Sequence, residues 1–302
     1  MFSYLQKPWF VHRPSQIAVR AVRALRRPAP GLRLMRLAWG ASISADPTKE
    51  IGRCIWHTAV FDITVSEVLA RLVRPGDTVL DGGMNIGYMT LLAAALAGPS
   101  GRVLAFEPHP GLFREASANV ERARGGFQLA PVDLRQVALG EREGTATLVL
   151  PDEFGANDGT ARVPAEGDDA DGPRIAVAMG TLDEAMAGRS AALLKLDVEG
   201  YEAQVLRGAT RTLAERRIRH IVFEDHEGPG SEVIGILEGF GCEVFALGWS
   251  VAGPEISPVR GGSLAKRYEA ASYLATFDPA GAVQACAPRG WRVLDGHLAI
   301  RR

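Results

Sequence analysis

Cysteine is scarce in this sequence of 302 residues: there are three, at positions 54, 242 and 286, far apart along the chain. So few cysteines, odd in number, exclude a disulfide-stapled scaffold and favour a reducing compartment, so we expect a cytoplasmic protein. Long apolar runs are also missing, because purely apolar stretches such as residues 91–97 are well short of the roughly 20 residues that cross a bilayer. We therefore expect no integral membrane segment.

Acidic residues are absent from the first 45 positions, which hold eight lysine and arginine residues; Asp46 is the first acid. The remaining residues carry 26 basic and 35 acidic side chains. An acidic body argues against a broad nucleic-acid surface, which needs a basic face. A hydrophobic fraction of 47% and a net charge of −1 exclude a chain that is disordered throughout.

The basic N-terminus has the pattern of a short amphipathic helix over residues 15–27, with Ile17, Ala21 and Leu25 in register. Such a helix can make peripheral contact with anionic lipid or with an acidic partner. The same pattern fits a helix that docks on the rest of the chain, or a frayed terminus. We expect residues 1–59 to form a basic extension, helical or partly disordered, ahead of one domain over residues 60–302.

From about residue 60, short apolar strands alternate with helices. Fully apolar strands in this order indicate a parallel sheet covered on both faces, and hence a doubly wound, Rossmann-like α/β fold. Residues 151–180 predict a long loop, of the kind that is usually functional or mobile. The predicted helices lie at 65–73, 88–97 and 111–124, and the predicted strands at 78–80, 102–106, 136–139, 192–196, 220–223 and 242–246.

A glycine-rich turn follows the first strand of this pattern and opens a helix, which is where doubly wound folds bind nucleotides. The dinucleotide fingerprint G-x-G-x-x-G is not matched, because Gly82 and Gly83 are adjacent and Met84 takes the place of a glycine. Asp81, at the end of the strand, suits a ligand with a cationic amino acid head, such as S-adenosylmethionine, better than a pyrophosphate. A turn that only packs the strand on the helix explains the glycines as well. The candidate cofactor residues of this turn are Asp81, Gly82, Gly83, Met84, Asn85 and Gly87.

Glu107 ends the next strand, 26 residues after Asp81. In nucleotide-binding units of this kind, an acid about 20 residues beyond the glycine turn accepts hydrogen bonds from the ribose hydroxyls. Phe106 and Pro108 beside it can wall an adenosyl pocket. The alternative is a solvent-exposed glutamate at a strand end.

Two carboxylates, Asp197 and Glu199, follow a later apolar strand whose carboxyl end lies beside the same crevice. Carboxylates with different pKa values can divide the work, one holding a cofactor or metal while the other takes a proton. Capping of the next helix by acids in its first turn is the alternative explanation, and it suits Glu202 best.

Glu224 and His226 follow the next apolar strand, so we expect them at the same edge of the sheet. Histidine titrates in a range that is useful for proton transfer, although a solvated turn over residues 225–227 explains the pattern equally well. Asp197 and Glu224 can alternatively bind a divalent ion that acidifies an acceptor, but we favour a site without metal. The candidate catalytic residues are Asp197, Glu199, Glu224 and His226.

Five blocks of the sequence, in the same order, resemble the FkbM-type S-adenosylmethionine-dependent methyltransferases, and the resemblance spans residues 60–278. The family implies a class I methyltransferase fold, with a mostly parallel sheet and an antiparallel last strand. It also implies methylation of hydroxyl oxygens on sugars, polyketides or other natural products. The blocks are residues 74–88, 105–110, 137–144, 181–183 and 195–209.

The resemblance also implies roles for single residues, and one position departs from the family pattern. Where the family usually has Gly-Ala, this chain has Gly83-Met84, which puts the shape of the turn in question. The implied roles are Asp81, Gly83, Asn85 and Gly87 around the methionine part of the cofactor, Glu107 at the ribose, Val137 and Ala138 at the adenine, and Asp197 near the reacting centre.

Two other classes of protein are compatible with the pattern: a nicotinamide-dependent oxidoreductase on a similar sheet, and a non-catalytic module that binds an adenosyl ligand. We expect a small-molecule or glycan acceptor and no nucleic acid, since no Asn/Asp-Pro-Pro-aromatic tetrad occurs. The candidate elements for acceptor selectivity are residues 54–58, 151–180 and 248–267.

Overall fold

The computed structural model describes residues 7–25, 28–151, 154, 157, 160–164, 171–262, 264, 271–296 and 298. None of the α-helices in these ranges is long and apolar enough to cross a membrane. The α-helices are α1 (Pro8–Val11), α2 (Ser15–Leu25), α3 (Glu50–Thr58), α4 (Ile63–Leu72), α5 (Tyr88–Ala97), α6 (Pro110–Arg124), α7 (Leu182–Met186), α8 (Glu202–Arg207), α9 (Thr210–Ala214), α10 (Glu232–Gly239) and α11 (Pro279–Cys286). The strands are β1 (Arg33–Arg36), β2 (Ser42–Ala45), β3 (Thr78–Gly82), β4 (Arg102–Phe106), β5 (Val132–Arg135), β6 (Ala138–Leu139), β7 (Gly144–Val149), β8 (Arg174–Gly180), β9 (Ala191–Leu196), β10 (Ile218–Glu224), β11 (Glu243–Ser250), β12 (Gly253–Pro258) and β13 (Ser272–Thr276).

The central sheet has eight strands in the order β12-β11-β13-β10-β9-β3-β4-β5. Strands β10, β9, β3, β4 and β5 run parallel, whereas the last strand of the chain, β13, is antiparallel to both of its neighbours, β10 and β11. The chain winds outward in opposite directions from β3 and β9, and a crevice opens at their carboxyl ends. The predicted fold class, a doubly wound class I methyltransferase sheet with an antiparallel last strand and an N-terminal helical extension, is confirmed.

Successive residues of the central strands face opposite sides of the sheet, and both sides are apolar. Val79 and Val103 pack into a core shared with α4, α5 and α6. Their neighbours Leu80 and Leu104 pack into a second core with α7, α8, α9 and α10. Because helices cover both faces, the strands have continuous apolar sequences, which explains why their positions are visible in the sequence.

The N-terminal elements pack on the same side of the sheet as α4, α5 and α6. Trp39 and Ile43 of the β1–β2 hairpin and Ile55 of α3 are fully buried in that core. The side-chain amide of Asn119, on α6, fixes the hairpin because it exchanges hydrogen bonds with the backbone of Ser44, at 2.8 and 3.0 Å. The hairpin and α3 are therefore joined to the sheet through a common core.

A buried ion pair fastens the C-terminal segment to α4. Arg71 Nε donates to Glu67 Oε1 at 2.7 Å, and both side chains are buried. The same guanidinium donates to the carbonyls of Pro288 at 2.6 Å and Gly290 at 2.8 Å, while Glu67 Oε2 accepts from the backbone N–H of Val293 at 3.0 Å. The charges are thus paired and hydrogen-bonded, which is the condition for burying them at all.

Two predicted elements differ from the structure. The strand predicted at 136–139 is displaced: the edge strand of the central sheet, β5, ends at Arg135, and only Ala138–Leu139 of the predicted strand form β6, which joins a small sheet in the order β6-β8-β7. The loop predicted over 151–180 ends earlier, because Arg174–Gly180 forms β8 and pairs antiparallel with β7. One side of this small sheet packs in a cluster with Ala146, Leu148 and Val177 while the other side stays exposed, so its strands lack the continuous apolar pattern. Residues 152–153, 155–156, 158–159 and 165–170 of the predicted loop lie outside the described residues.

Candidate active site

The glycine turn after β3 passes directly against the end of β9. Gly83 has φ +78°, and a Cβ there would lie 1.8 Å from the backbone carbonyl oxygen of Asp197. Gly87 caps α5 with φ +89°, and Asn85 between them also has a left-handed φ of 51°, a conformation that asparagine tolerates better than most residues. The turn therefore requires glycine at position 83 for close approach of two backbones.

Glu107 lies at the end of β4 and is held by two backbone groups. Its carboxylate accepts from the backbone N–H of Asn85 at 3.0 Å and from that of His109 at 2.9 Å. Burial raises the pKa of Glu107 to about 7, and these two hydrogen bonds oppose the rise. The glycine turn and the end of β4 are thus tied together, and the carboxyl group sits where it can switch protonation near neutral pH.

Met84 is buried in the hydrophobic core, and its backbone N–H donates to the carbonyl of Phe106 at 2.9 Å. The departure from the usual Gly-Ala pair is therefore accommodated by packing.

Lys195 is the buried cation of the site, and it contacts both sheet strands and the turn. Parallel pairing puts Lys195 of β9 in register with Asp81 of β3. Its ammonium donates to the carbonyl of Gly83 at 2.8 Å, and it lies 3.2 Å from Asp197 Oδ2 and 3.6 Å from Asp81 Oδ1. Although burial lowers the pKa of Lys195, the carboxylates of Asp197 and Asp81 raise it well above the ordinary value. Lys195 is therefore permanently charged.

Asp81 is only 1% exposed and lies behind the cavity wall. Its Oδ2 accepts from the hydroxyl of Thr90 at 2.5 Å, whereas Oδ1 has no hydrogen-bond partner among the described residues. Burial raises the pKa of Asp81, against the attraction of Lys195. Asp81 thus supports the turn through Lys195 and Thr90 rather than by lining the cavity.

Three carboxyl groups lie together beyond Lys195. Burial, together with the charge of Asp197, raises the pKa of Glu199 to about 8 and that of Glu224 to about 9. Glu199 also has a left-handed φ of 57°, which is a strained conformation for this residue type. A strained backbone and shifted pKa values in one crevice are typical of functional sites.

His226 extends the carboxylate group toward solvent. Its Nε2 lies 3.1 Å from Glu224 Oε1, and its side chain is 67% exposed. The turn that carries it is fixed by the buried Asp225, whose Oδ1 accepts from the backbone N–H groups of Glu227 at 2.8 Å and Gly228 at 3.0 Å. Glu202 lies in the first turn of α8, as one of the sequence interpretations expected, and its Oε1 accepts from the backbone N–H of Val198 at 2.9 Å.

A cavity of about 590 Å³ brings most of these residues together. That volume lies within the roughly 300–1,000 Å³ typical of small-molecule sites. The predicted site residues that line the cavity are Gly83, Met84, Asn85, Glu107, Val137, Ala138, Asp197, Glu199, Glu224 and His226. The predicted residues behind its wall are Asp81, Gly82 and Gly87.

The sequence interpretation missed several residues of this cavity. Lys195 belongs to one of the five blocks that resemble the family, but the sequence interpretation gave it no role. A lysine inside an otherwise apolar strand indicates a paired, buried charge. Residues from the N-terminal region also line the cavity; Cys54 and Thr58 belong to the selectivity element expected at 54–58, whereas no local pattern connects the others to it. The missed N-terminal lining residues are Lys7, Trp9, Glu50, Ile51, Val60, Phe61, Asp62, Ile63 and Thr64.

The donors around the cavity fit S-adenosylmethionine. The lining carries the carboxyl groups of Glu107, Asp197, Glu199 and Glu224, and a cation bound beside them stabilises their ionised forms. Apolar Val137 and Ala138 supply a flat wall for a base. Among the residues that the structure describes, no group of three or more His, Cys, Asp or Glu side chains is arranged to hold a metal ion. Metal binding by Asp197 and Glu224 stays a prediction.

Comparison with known proteins agrees with the class that fold and site define, an S-adenosylmethionine-dependent methyltransferase. The family model "Methyltransferase FkbM domain" matches residues 81–243. The chain belongs to the FkbM methyltransferase family, as its sequence motifs suggested, and S-adenosylmethionine is its cofactor.

Two curated relatives are similar to parts of the chain. The chain is 34% identical over 203 residues to the 31-O-demethyl-FK506 methyltransferase FkbM of Streptomyces tacrolimicus, a match that covers 58% of this chain and 75% of the relative. It is 29% identical over 167 residues to the hexuronic acid methyltransferase AglP of Haloferax volcanii, covering 54% of this chain and 62% of the relative.

Solved structures with a similar fold include a methyltransferase FkbM from Methylobacillus flagellatus. It is 12% identical, with a TM-score of 0.41, and the match covers 89% of this chain and 61% of that one. A SAM-dependent O-methyltransferase from Thermotoga maritima is 17% identical, with a TM-score of 0.39 and coverage of 84% and 80%.

Proposed function

We propose that this methyltransferase transfers its methyl group to a hydroxyl oxygen of a sugar, a polyketide or a related natural product. The observation that carries the proposal is the pair Glu199 and Glu224, whose pKa values burial raises to about 8 and about 9 beside the same cavity as the glycine turn. An alcohol is a poor nucleophile until its proton leaves, so O-methylation needs a base of this kind near the acceptor. The names of the two relatives, FkbM and AglP, support this class of acceptor.

Binding of the cofactor is assigned to the turn and its supports. When bound, S-adenosylmethionine supplies an electrophilic methyl group on a positively charged sulfur. Gly83 and Asn85 line the cavity beside its methionine part, with Gly87 and Asp81 supporting the turn from behind the wall. Glu107 accepts hydrogen bonds from the ribose hydroxyls, and Val137 and Ala138 pack on the adenine.

Glu224 is our choice for the general base among the four candidates. Its carboxyl group lies at the end of β10, and its hydrogen-bonded neighbour His226 leads toward solvent, so a proton taken from the acceptor has an exit. Glu224 loses its own proton when a cation occupies the cavity, because the positive charge stabilises the carboxylate. Asp197 stays paired with Lys195 and orients the acceptor side of the cavity.

The described part of the N-terminal extension completes the acceptor side in this proposal. Trp9 and Cys54 line the same cavity as the cofactor residues, and Trp9 lies 5.8 Å, between ring centroids, from Trp249. The three cysteines are free thiols. A thiol in the cavity wall fits a reducing compartment, so we place the reaction in the cytoplasm.

Methyl transfer from labelled cofactor to a panel of hydroxylated acceptors tests the proposal. We expect Glu224→Gln to lower kcat by about 10²–10⁴-fold, with little change in affinity for S-adenosylhomocysteine. Glu227→Gln, at an exposed glutamate three residues after Glu224 and next to His226, is the matched control and keeps full activity. Full activity of Glu224→Gln would show that Glu224 is not the base, and transfer to nitrogen or carbon acceptors alone would contradict O-methylation.

A further inference from the structure

Exposed large hydrophobic side chains are concentrated near the N-terminus. Of the nine such side chains in the described part of the chain, seven lie between residues 11 and 34, and the other two are Val251 and Val283. Single exposed apolar residues are ordinary on a protein surface, whereas a cluster marks an interaction site. The cluster, which we call the N-terminal apolar face, consists of Val11, Ile17, Val19, Val22, Leu25, Leu32 and Leu34.

Helix α2 turns its polar side toward the protein. The side-chain amide of the buried Gln16 donates to the backbone carbonyl of His57 at 3.0 Å. The guanidinium of Arg23 lies 4.4 Å from the centroid of the Trp56 ring, and it also donates to the carbonyl of that residue. Inward contacts of α2 are thus hydrogen bonds and cation–π contacts rather than an apolar seam.

The apolar side of α2 faces outward. Val22 and Leu25 are 52% and 88% exposed, and they share a stripe of the helix with Ala18 and Ala21, which are also exposed. A surface helix ordinarily packs this stripe against the core, so the orientation of α2 is the reverse of the usual one. An apolar stripe kept in water is unfavourable, and it is explained when another surface covers it.

Strand β1 continues the same face. Arg33 of β1 lies 5.9 Å from the centroid of the Trp56 ring, the ring that also contacts α2. Because side chains alternate along a strand, Leu34 points away from Arg33, and both Leu34 and the preceding Leu32 are exposed. The helix and the strand therefore present their apolar side chains from neighbouring elements.

Charge identifies what covers this face. The first 45 residues carry eight lysine and arginine side chains and no acid, and Arg33 and Arg36 are exposed. Pairing with a second copy of the chain would bring two such basic segments together, which like-charge repulsion disfavours. An apolar face in a basic segment without acids, with the exposed Arg36 on the same side of β1 as Leu34, fits a lipid surface with negatively charged headgroups.

We propose that the N-terminal apolar face docks on a membrane surface that contains anionic phospholipid. Val22 and Leu25 enter the boundary between headgroups and acyl chains, and the exposed Arg36 contacts a lipid phosphate. Lys7 and Trp9, which line the cavity, precede α2 in the same segment, so the docked surface borders the active site.

Co-sedimentation of the full chain with vesicles tests this proposal. The vesicles are phosphatidylcholine alone, or phosphatidylcholine with about 30% phosphatidylserine, a charge density sufficient for polybasic segments to respond. Wild type is expected to bind the anionic vesicles at least about tenfold more strongly than the neutral ones, and to lose that preference in roughly 0.5 M salt.

Two variants distinguish binding through the N-terminal apolar face from non-specific hydrophobic binding to vesicles. Val22→Asp with Leu25→Asp should weaken binding to anionic vesicles by at least about tenfold, because two apolar side chains become anionic. Val283→Asp, at a side chain that is 46% exposed on α11, is the matched control and should bind like wild type. Equal affinity for S-adenosylhomocysteine in all three proteins shows that they are folded.

Three results would overturn the proposal. The first is wild type that binds neither vesicle or both equally, and the second is a double variant that binds as well as wild type. The third is a dimer of wild type, seen by sedimentation velocity without vesicles, that the double variant abolishes, because the face would then join two copies of the chain.

Discussion

Replacement of Lys195 by methionine tests how the site is held together. Lys195→Met keeps the length and the apolar stem of the side chain but removes the ammonium that contacts Gly83, Asp197 and Asp81 at 2.8, 3.2 and 3.6 Å. Asp81 is then left buried beside Asp197 without its cation. Removing one partner of a buried pair costs about 3–5 kcal/mol, and we expect that loss in the free energy of unfolding.

The pH dependence of this loss follows from the pKa of Asp81. Burial already raises that pKa, and loss of the Lys195 charge raises it further. A carboxyl group whose folded pKa lies above its unfolded value, about 3.9, destabilises the fold increasingly as pH rises from the unfolded pKa to the folded one. Lys195→Met should therefore be closer to wild type at about pH 5.5 than at about pH 8.

Urea unfolding followed by tryptophan fluorescence measures both effects. The half-buried Lys49 at the start of α3 provides the control, and Lys49→Met should cost less than about 1 kcal/mol at either pH. Addition of Asp81→Asn to Lys195→Met should recover much of the loss, since the unpaired charge is removed. The reasoning is refuted if Lys195→Met costs no more than Lys49→Met, or if its cost does not change with pH.

Three further predictions concern protonation, stability and the turn. At pH 7, binding of S-adenosylmethionine should release more protons than binding of S-adenosylhomocysteine, which lacks the sulfonium charge, because the sulfonium lowers the pKa of Glu224 from about 9. Calorimetry in buffers of different ionisation enthalpy measures the difference, and equal proton release would contradict the prediction. Arg71→Met should lower the free energy of unfolding by about 3–5 kcal/mol, and the exposed Arg74→Met by less than about 0.5 kcal/mol. Equal urea midpoints for the two variants would show that the Arg71–Glu67 ion pair does not stabilise the C-terminal segment. Gly83→Ala should abolish cofactor binding or folding because its Cβ has no space. Gly76→Ala is also at positive φ, but its Cβ would lie 3.7 Å from the nearest atom, so it should lower the free energy of unfolding by only about 1–2 kcal/mol. Similar thermal midpoints for the two variants would contradict this.

The central elements of the fold are visible in the sequence because each is buried on both sides. The predicted helix at 88–97 and the predicted strand at 102–106 coincide with α5 and β4. Strand β5, in contrast, is a half-buried edge with charged Asp133 and Arg135, so its sequence lacks the continuous apolar run and the prediction moved to residues 136–139. Pairing with a neighbour, rather than local pattern, determines where such an edge strand lies.

The candidate site was accessible to sequence reasoning only where it follows strand ends. Asp197, Glu199 and Glu224 share one edge of the sheet because parallel strands end there, and the sequence alone predicts that shared edge. The orientation of α2 was not predictable, since its amphipathic pattern favours an inward apolar face. The contacts of Arg23 with Trp56, which is 33 residues later in the chain, hold α2 in the opposite orientation. A contact between residues so far apart in sequence cannot be predicted from the local pattern.

Titration calorimetry with S-adenosylhomocysteine most directly tests whether this crevice holds the adenosyl cofactor. The ligand should bind wild type at one site per chain, and more tightly at about pH 8 than at about pH 6, because the pKa of Glu107 is about 7 and its carboxylate form accepts the ribose hydroxyls. Glu107→Gln should bind roughly 10–100-fold more weakly at the higher pH and show a smaller pH dependence, whereas the exposed Glu121→Gln should match wild type. Absence of heat with folded wild type, or unchanged affinity in Glu107→Gln, would contradict the account.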